Sequence, residues 1–392
     1  MNEKKIILTK YNNGILYTCM DENRAIEYRL FNEDEEDKVG SIYVCMVRDV
    51  ARNIGASFVS YGDKKTGFVK STAYKKGTLV ALQLKRRGDG DKAPLFTDEL
   101  SLTGMYTVVK NSDKNFAISK KITGDTRREI KEMYSGFFAD LEYGITLRTN
   151  CVGASQGEVL KEADELAGLM DDIVTASDKR TCGTLLYDGG KEWVRHCLKA
   201  DAASLERIIT DDTEIFETLN SSVIKKFTSL NSDIEFELYK DDLLPLDKLY
   251  SIETGLEEAL KTKVWLKSGA FIYIEHTNAL TAIDVNTGKN IKNTERETTF
   301  YECNMEATAE IARQIRLRNL SGIIIVDYIN MTEEKHFNQV TGYLKQLISA
   351  DPVKTTVHDV TALSLVEITR QKELEPLRDM LGKDTTEEET DG

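Results

Sequence analysis

Apolar and polar residues alternate through the first thirty or so positions, as in Lys5-Ile6-Ile7-Leu8 and Ile15-Leu16-Tyr17. A period of two predicts a β-hairpin. The acidic run at 33–37 follows and reads as a linker. From Gly40 to about Lys110, short strands alternate with glycine turns: Ser41–Val47, Ser57–Tyr61 closed by Gly62-Asp63, Thr66–Val69 and Leu79–Leu84. Roughly five strands in so short a stretch predict a small closed barrel. Residues 116–185 mix strands with one helix, marked by Val159, Ala163, Leu166, Met170 and Ile173 at three- and four-residue spacing. Between 190 and 260, Trp193–Leu198, Thr213–Leu219 and Leu256–Leu260 read as helical, and Ser204–Ile209 and Phe236–Tyr239 as extended.

The last block is the most regular. Phe271–Glu275 and Leu280–Val285 read as strands, the second ended by Asn286-Thr287-Gly288. A long helix is expected from about Glu295 to Arg318, with Ala307, Ile311 and Ile315 as its buried stripe and the arginines of its last turn suited to the helix dipole. Ser321-Gly322 breaks it. The nearly continuous apolar run Ile323–Ile329 predicts a strand buried on both faces. A helix to about Ser349 and strands at Val357–Val360 and Val366–Thr369 complete the pattern.

A chain of 392 residues suits two to four compact units. Its hydrophobic content of 41% and charged content of 30% are ordinary for a soluble protein. No apolar run approaches the ~18 residues of a membrane span. The start, Met1-Asn2-Glu3-Lys4-Lys5, is not followed by the apolar core of a signal peptide. A cytoplasmic protein with no membrane partner is expected. Cys19, Cys45, Cys151, Cys182, Cys197 and Cys303 lack zinc-site spacing and read as reduced thiols, so no zinc is expected. The net charge of −14 argues against a nucleic-acid partner when taken alone. Basic residues nevertheless gather at Lys85-Arg86-Arg87, Lys120-Lys121, Arg127-Arg128 and Arg313, Arg316 and Arg318. Local patches, not totals, set phosphate binding. For any one patch a solvated face is the simpler reading.

Two acids end otherwise apolar strands: Asp284 closes Ala282-Ile283-Asp284, and Asp327 closes the run from Ile323. A carboxylate in such company is costly unless it is paired or binds a cation. On neighbouring strands the two could meet at one end of a sheet, where open α/β sites lie. A hard divalent ion takes one or two carboxylates, keeps several waters and accepts phosphate oxygens. Asn286, two residues past Asp284, points to the same side of an extended chain. The competing reading is that each acid caps its strand or pairs with an arginine of the neighbouring helix, and spacing alone leaves both open. On the barrel, Phe58 and Phe68 sit on adjacent strands and Lys85 and Lys92 flank a later one. They form a stacking surface for single-stranded nucleic acid, unless the rings are simply core.

These residues and their surroundings resemble the ribonuclease E/G family of bacterial endoribonucleases over roughly residues 1–380. The resemblance is carried by Leu280–Asn286 (LTAIDVN), Glu306–Leu320 (EATAEIARQIRLRNL) and Gly322–Met331 (GIIIVDYINM). Lys263-Val264-Trp265-Leu266, Ser268-Gly269 and Thr369-Arg370-Gln371 add to it. It implies an α/β multidomain fold: a ribonuclease H-like subdomain (1–37 and 190–257), an inserted S1 barrel of the OB type (38–115), a 5′-phosphate sensor subdomain (116–185), a DNase I-like catalytic subdomain (258–380) and an acidic tail (381–392). It implies that Asp284 and Asp327 bind Mg2+, or Mn2+ in its place, and that Asn286 positions the scissile phosphate. Arg148 and Thr149, with Lys120, match the pocket for an RNA 5′-monophosphate, and Phe58 and Phe68 match the S1 aromatics. The activity implied is hydrolysis of single-stranded, A/U-rich RNA in RNA processing and decay, leaving 5′-phosphate and 3′-hydroxyl ends. The runner-up is a non-catalytic or weakly active S1-domain relative that binds RNA, and a third reading is a structure-selective DNA nuclease.

The departures are specific. Asn330 and Asn278 stand where the family has Asp and Glu, Lys267-Ser268-Gly269-Ala270 where it has Pro-Ser-Gly-Gly, and Lys120-Lys121 where an arginine often senses phosphate. The family's zinc-linking cysteine pair should follow Leu381, where this chain has acid instead. No zinc link and no large scaffold assembly are therefore expected, and a homodimer without the link is left open.

Overall fold

The computed structural model describes residues 4–32, 37–88, 92–112, 114–138, 142–224, 227, 231, 233–277, 279–288 and 296–381. The acidic stretch 33–36, Asn278 and the tail beyond 381 lie outside them. The chain divides into two units, one built from residues 1–30, 208–212 and 237–392, the other from 31–207 and 213–236.

The first unit holds two sheets. Its N-terminal sheet exceeds the expected hairpin: Lys4–Tyr11, Gly14–Asp21 and Arg24–Asn32 are joined beyond Lys4–Tyr11 by Leu205–Thr210 and Glu235–Leu238. Three of these strands, Arg24–Asn32, Leu205–Thr210 and Glu235–Leu238, cross the unit boundary along the chain. The second sheet has the order Lys263–Trp265, Phe271–His276, Leu280–Asn286, Gly322–Asp327, Val366–Arg370, Thr355–Val360. Only Leu280–Asn286 and Gly322–Asp327 are parallel, and the helix Arg296–Leu317 crosses between them. Ile272, Ile274, Ile283, Val285, Ile324 and Val326 form one core with Ala307, Ile311 and Ile315 of that helix and with Val340, Leu344 and Ile348 of the helix Glu334–Ser349.

That packing corrects one expectation. The strand Gly322–Asp327 is not buried on both faces: Ile324 and Val326 are sealed, whereas Ile323 is 49% exposed and Asp327 is exposed. The core cluster that covers the sheet draws both helices to a single face. The arginines of the long helix are a second correction, because they form no basic surface patch. Arg313 pairs with Glu310 at 2.6 Å, Arg316 with the buried Glu27 at 2.7 Å, and Arg318 donates to Gln314 at 2.5 Å. They hold the helix in place through charge-assisted bonds.

The second unit contains the expected closed barrel. Ile42–Ala51, Ala56–Gly62 and Lys65–Val69 run antiparallel in order, Leu95–Thr97 pairs parallel with Lys65–Val69, and Leu79–Arg86 closes the ring against Ile42–Ala51. Gly67 is required there, since a Cβ would lie 2.7 Å from the Phe96 ring inside the barrel. A four-stranded sheet follows, in the order Phe116–Ile118, Gly144–Leu147, Thr107–Lys110, Ser101–Thr103. The 116–185 region has a second helix, Gly124–Ser135, besides the expected Gln156–Ser177, which starts on a Ser155–Glu158 capping box. Among the described residues no helix is long and apolar enough to cross a membrane.

Candidate active site

Asp284 and Asp327 are brought together by strand register. On the two parallel strands Asp284 is the direct partner of Asp327. Their chain neighbours Ile283, Val285 and Val326 point into the core, so both carboxylates stand on the opposite, open face. Adjacent strands lie ~4.8 Å apart, which confines two negative charges to one small volume. The Asp327 carboxyl is pushed above the ordinary carboxylate range, by partial burial and then by the charge of Asp284. Asn286, half-buried on the same face, donates from Nδ2 to Asp284 Oδ2 at 2.5 Å. Among the described residues neither acid pairs with an arginine, because those of the neighbouring helix are engaged by Glu310, Glu27 and Gln314.

This donor set fits a hard divalent ion. Two crowded carboxylates, one of them reluctant to ionise beside the other, are relieved by a cation. Among the described residues no group of three or more His, Cys, Asp or Glu could hold a metal. Asp284 and Asp327 would thus leave most positions around the ion to water and phosphate oxygens, the arrangement Mg2+ favours.

The backbone after each acid is fixed by further residues, and those on the Asp327 side, Asn304 and Glu297, are marked by no motif in the sequence. Asn304, fully buried in the helix Arg296–Leu317, donates to the Ile329 carbonyl at 2.8 Å and accepts from the Ile329 N–H at 3.1 Å. Glu297, in the first turn of that helix, accepts from the N–H groups of Thr332 and Glu333 at 2.9 and 3.1 Å and from the Thr332 hydroxyl at 2.7 Å. It also lies 2.9 Å from His336 Nδ1. These bonds, the Thr332 N–H first, hold its carboxyl down at about 2. On the Asp284 side Gly288 adopts φ +66°, and a Cβ there would run into the Gly269 carbonyl. Asn304 and Thr308 continue the stripe of Ala307, Ile311 and Ile315, the one sequence signal that could have found them. Asn330, the described departure from the family's acids, is exposed three residues past Asp327.

Away from the acids, Phe58 and Phe68 are direct cross-strand partners. Phe58 is 42% exposed and Phe68 half-buried, and neither belongs to the barrel core of Cys45, Val47, Val59, Tyr61, Val69, Leu82, Leu84 and Phe96. The row through them continues to Leu95 and then Arg86, not Lys85. Lys85 and Lys92 are both exposed, but no pairing puts either in that row. Arg148 and Thr149 follow the strand Gly144–Leu147, and Lys120 follows its parallel neighbour Phe116–Ile118, so the three sit at the same end of that pair. Lys120 is exposed. Arg148 is turned inward: its Nη1 donates to the carbonyls of Gly104, Met105 and Leu198, and burial lowers its pKa.

The sequence profile described as the Ribonuclease E/G family matches residues 101–373. The chain belongs to the ribonuclease E/G family. Ribonuclease G of Escherichia coli K12 is 29% identical over 380 residues, spanning 91% of this chain and 77% of its own. Ribonuclease E of Haemophilus influenzae is 29% identical over 392 residues, covering 94% of this chain but 42% of its own length. In this ribonuclease E/G family member the matched region takes in the four-stranded sheet that begins at Ser101, the acid pair and the helix that braces it.

Proposed function

We propose that this family member is a metal-dependent endoribonuclease that hydrolyses single-stranded, A/U-rich RNA internally, in the cytoplasm, and leaves 5′-phosphate and 3′-hydroxyl ends. The observation that carries the reading is the direct pairing of Asp284 with Asp327 on the open face, with Asn286 bonded beside them. The relatives, ribonuclease G and ribonuclease E, are named for action on RNA, which supports RNA as the substrate. The subdomain plan is proposed with it: a ribonuclease H-like part, an S1 barrel, a sensor and a DNase I-like catalytic part.

In this reading Asp284 and Asp327 hold Mg2+, with Mn2+ able to replace it. Bound there, the ion polarises the phosphodiester and lowers the pKa of a water. Asp284 fixes the Asn286 amide, so that a phosphate oxygen meets a donor already oriented. Phe58 and Phe68 offer stacking faces to unpaired bases, with Arg86, Lys85 and Lys92 as the cations near the strand. Lys120, Arg148 and Thr149 receive a 5′-monophosphate. The inward engagement of Arg148 favours a modest preference for that end.

The test is cleavage of a 5′-monophosphorylated A/U-rich RNA with Mg2+, set against EDTA and a 5′-hydroxyl substrate. Internal cuts should require the metal. Asp284→Asn and Asp327→Asn should each slow cutting by roughly 10²-fold or more while RNA still binds, since each removes charge that serves the transition state. RNA bound by the wild type but never cut would leave a binding protein in place of the enzyme.

A further inference from the structure

The open face that bears the acids also bears aromatic rings. Lys263–Trp265 pairs antiparallel with Phe271–His276, placing Lys263 opposite Tyr273 and Trp265 opposite Phe271. The next strand places Asp284 opposite Tyr273 and Asn286 opposite Phe271. Two cross-strand rows result. One runs Lys263, Tyr273, Asp284, Asp327; the other runs Trp265, Phe271, Asn286. Members of such rows share a face, and the intervening Ile272, Ile274 and Val285 are buried on the other.

The rings form one assembly. Trp265 meets Phe271 edge-on with centroids 5.2 Å apart, and Phe271 meets Tyr273 in the same manner at 5.3 Å. The Lys263 ammonium lies 4.0 Å from the Trp265 centroid and 3.9 Å from that of Phe271. Trp265 is nevertheless 63% exposed. It contributes nothing to the core on the far side of the sheet. A braced, cation-capped indole left in water is the form of a stacking platform.

We infer that Trp265, held by Phe271 and Lys263, stacks the base of a nucleotide flanking the scissile phosphate. The occupant is single-stranded RNA, and the inference rests on the ribonuclease reading and adds a base-binding subsite to it. Charge supports it: in a chain of net charge −14, Lys263 brings a positive group to the acid-bearing face, where phosphates must approach. Distance supports it as well. Trp265 stands two strand spacings from Asn286, roughly 10 Å, which suits a neighbouring nucleotide and not the reacting one. Stacking of this kind accepts any base, so the platform positions the strand without reading its sequence.

The chain has two tryptophans, and the other, Trp193, is 2% exposed, which makes Trp265 the accessible fluorophore. Adding a short adenosine–uridine oligoribonucleotide to the Asp327→Asn protein should quench the emission saturably, and the residual emission of a Trp265→Phe protein should not respond. In the active enzyme Trp265→Ala should raise KM about tenfold, with kcat much less affected, and Trp265→Phe should recover most of the loss. If the wild type cuts RNA while Trp265→Ala leaves KM unchanged, or if the indole emission ignores the RNA, the platform is wrong and the ribonuclease reading stands. If the protein neither binds nor cuts RNA, both fall.

Discussion

Asn304 carries no charge and exposes no surface, yet it fixes the chain two residues after Asp327. Its amide satisfies both backbone groups of Ile329. Asn304→Leu would leave that half-buried N–H and carbonyl without their partner, at a cost of ~1 kcal/mol. Urea unfolding should register that loss, and cleavage kinetics should show kcat falling while RNA affinity holds, because Asn304 is a positioning residue remote from the strand. Unchanged stability would mean that Ile329 finds other partners. At this scale the sequence revealed the acids, since a carboxylate that ends an apolar strand is conspicuous. It could not reveal that Asp284 faces Asp327, because register between strands separated by a whole helix is set by long-range packing. Lys85 illustrates the same limit. An irregularity between Leu84 and Arg86 shifts the alternation, so Arg86 takes the place beside the aromatics that simple counting gives to its neighbour.

Among the elements, the segment from Tyr328 to Glu333 is pinned by one helix at two points, Asn304 and Glu297. Glu297 also supplies acceptors at the start of the helix Glu334–Ser349, whose own N-cap makes no side-chain bond. Its pKa falls on folding from 4.5 to about 2. A depressed carboxyl stabilises the fold fully above its unfolded pKa, and the contribution is lost as pH falls toward the folded value. The thermal midpoint of Glu297→Gln should therefore lie below that of the wild type by a constant margin from neutral pH to about pH 5 and converge with it as the pH approaches 2. A margin that persists into strong acid would contradict the charged contact. Periodicity located most strands and the long helices. It missed Gly124–Ser135, a short helix in which only Ile130 and Tyr134 are buried among many charged residues. It also overstated the burial of Gly322–Asp327, because an apolar run does not say whether both faces are covered.

Across the whole molecule, the net charge of −14 opposes RNA, and Arg313, Arg316 and Arg318 are engaged in internal bonds. In the proposed function, binding draws on stacking at exposed rings, on placed cations and on an ion that the two acids would hold. Everything in this account depends on Asp284 and Asp327 gripping one divalent cation. Mn2+ uptake followed by electron paramagnetic resonance measures that grip without any RNA present. The wild type should deplete free Mn2+ and release it to Mg2+, whereas Asp284→Asn and Asp327→Asn should each weaken uptake by about tenfold or more. Undiminished uptake by the protein carrying both substitutions would contradict the account.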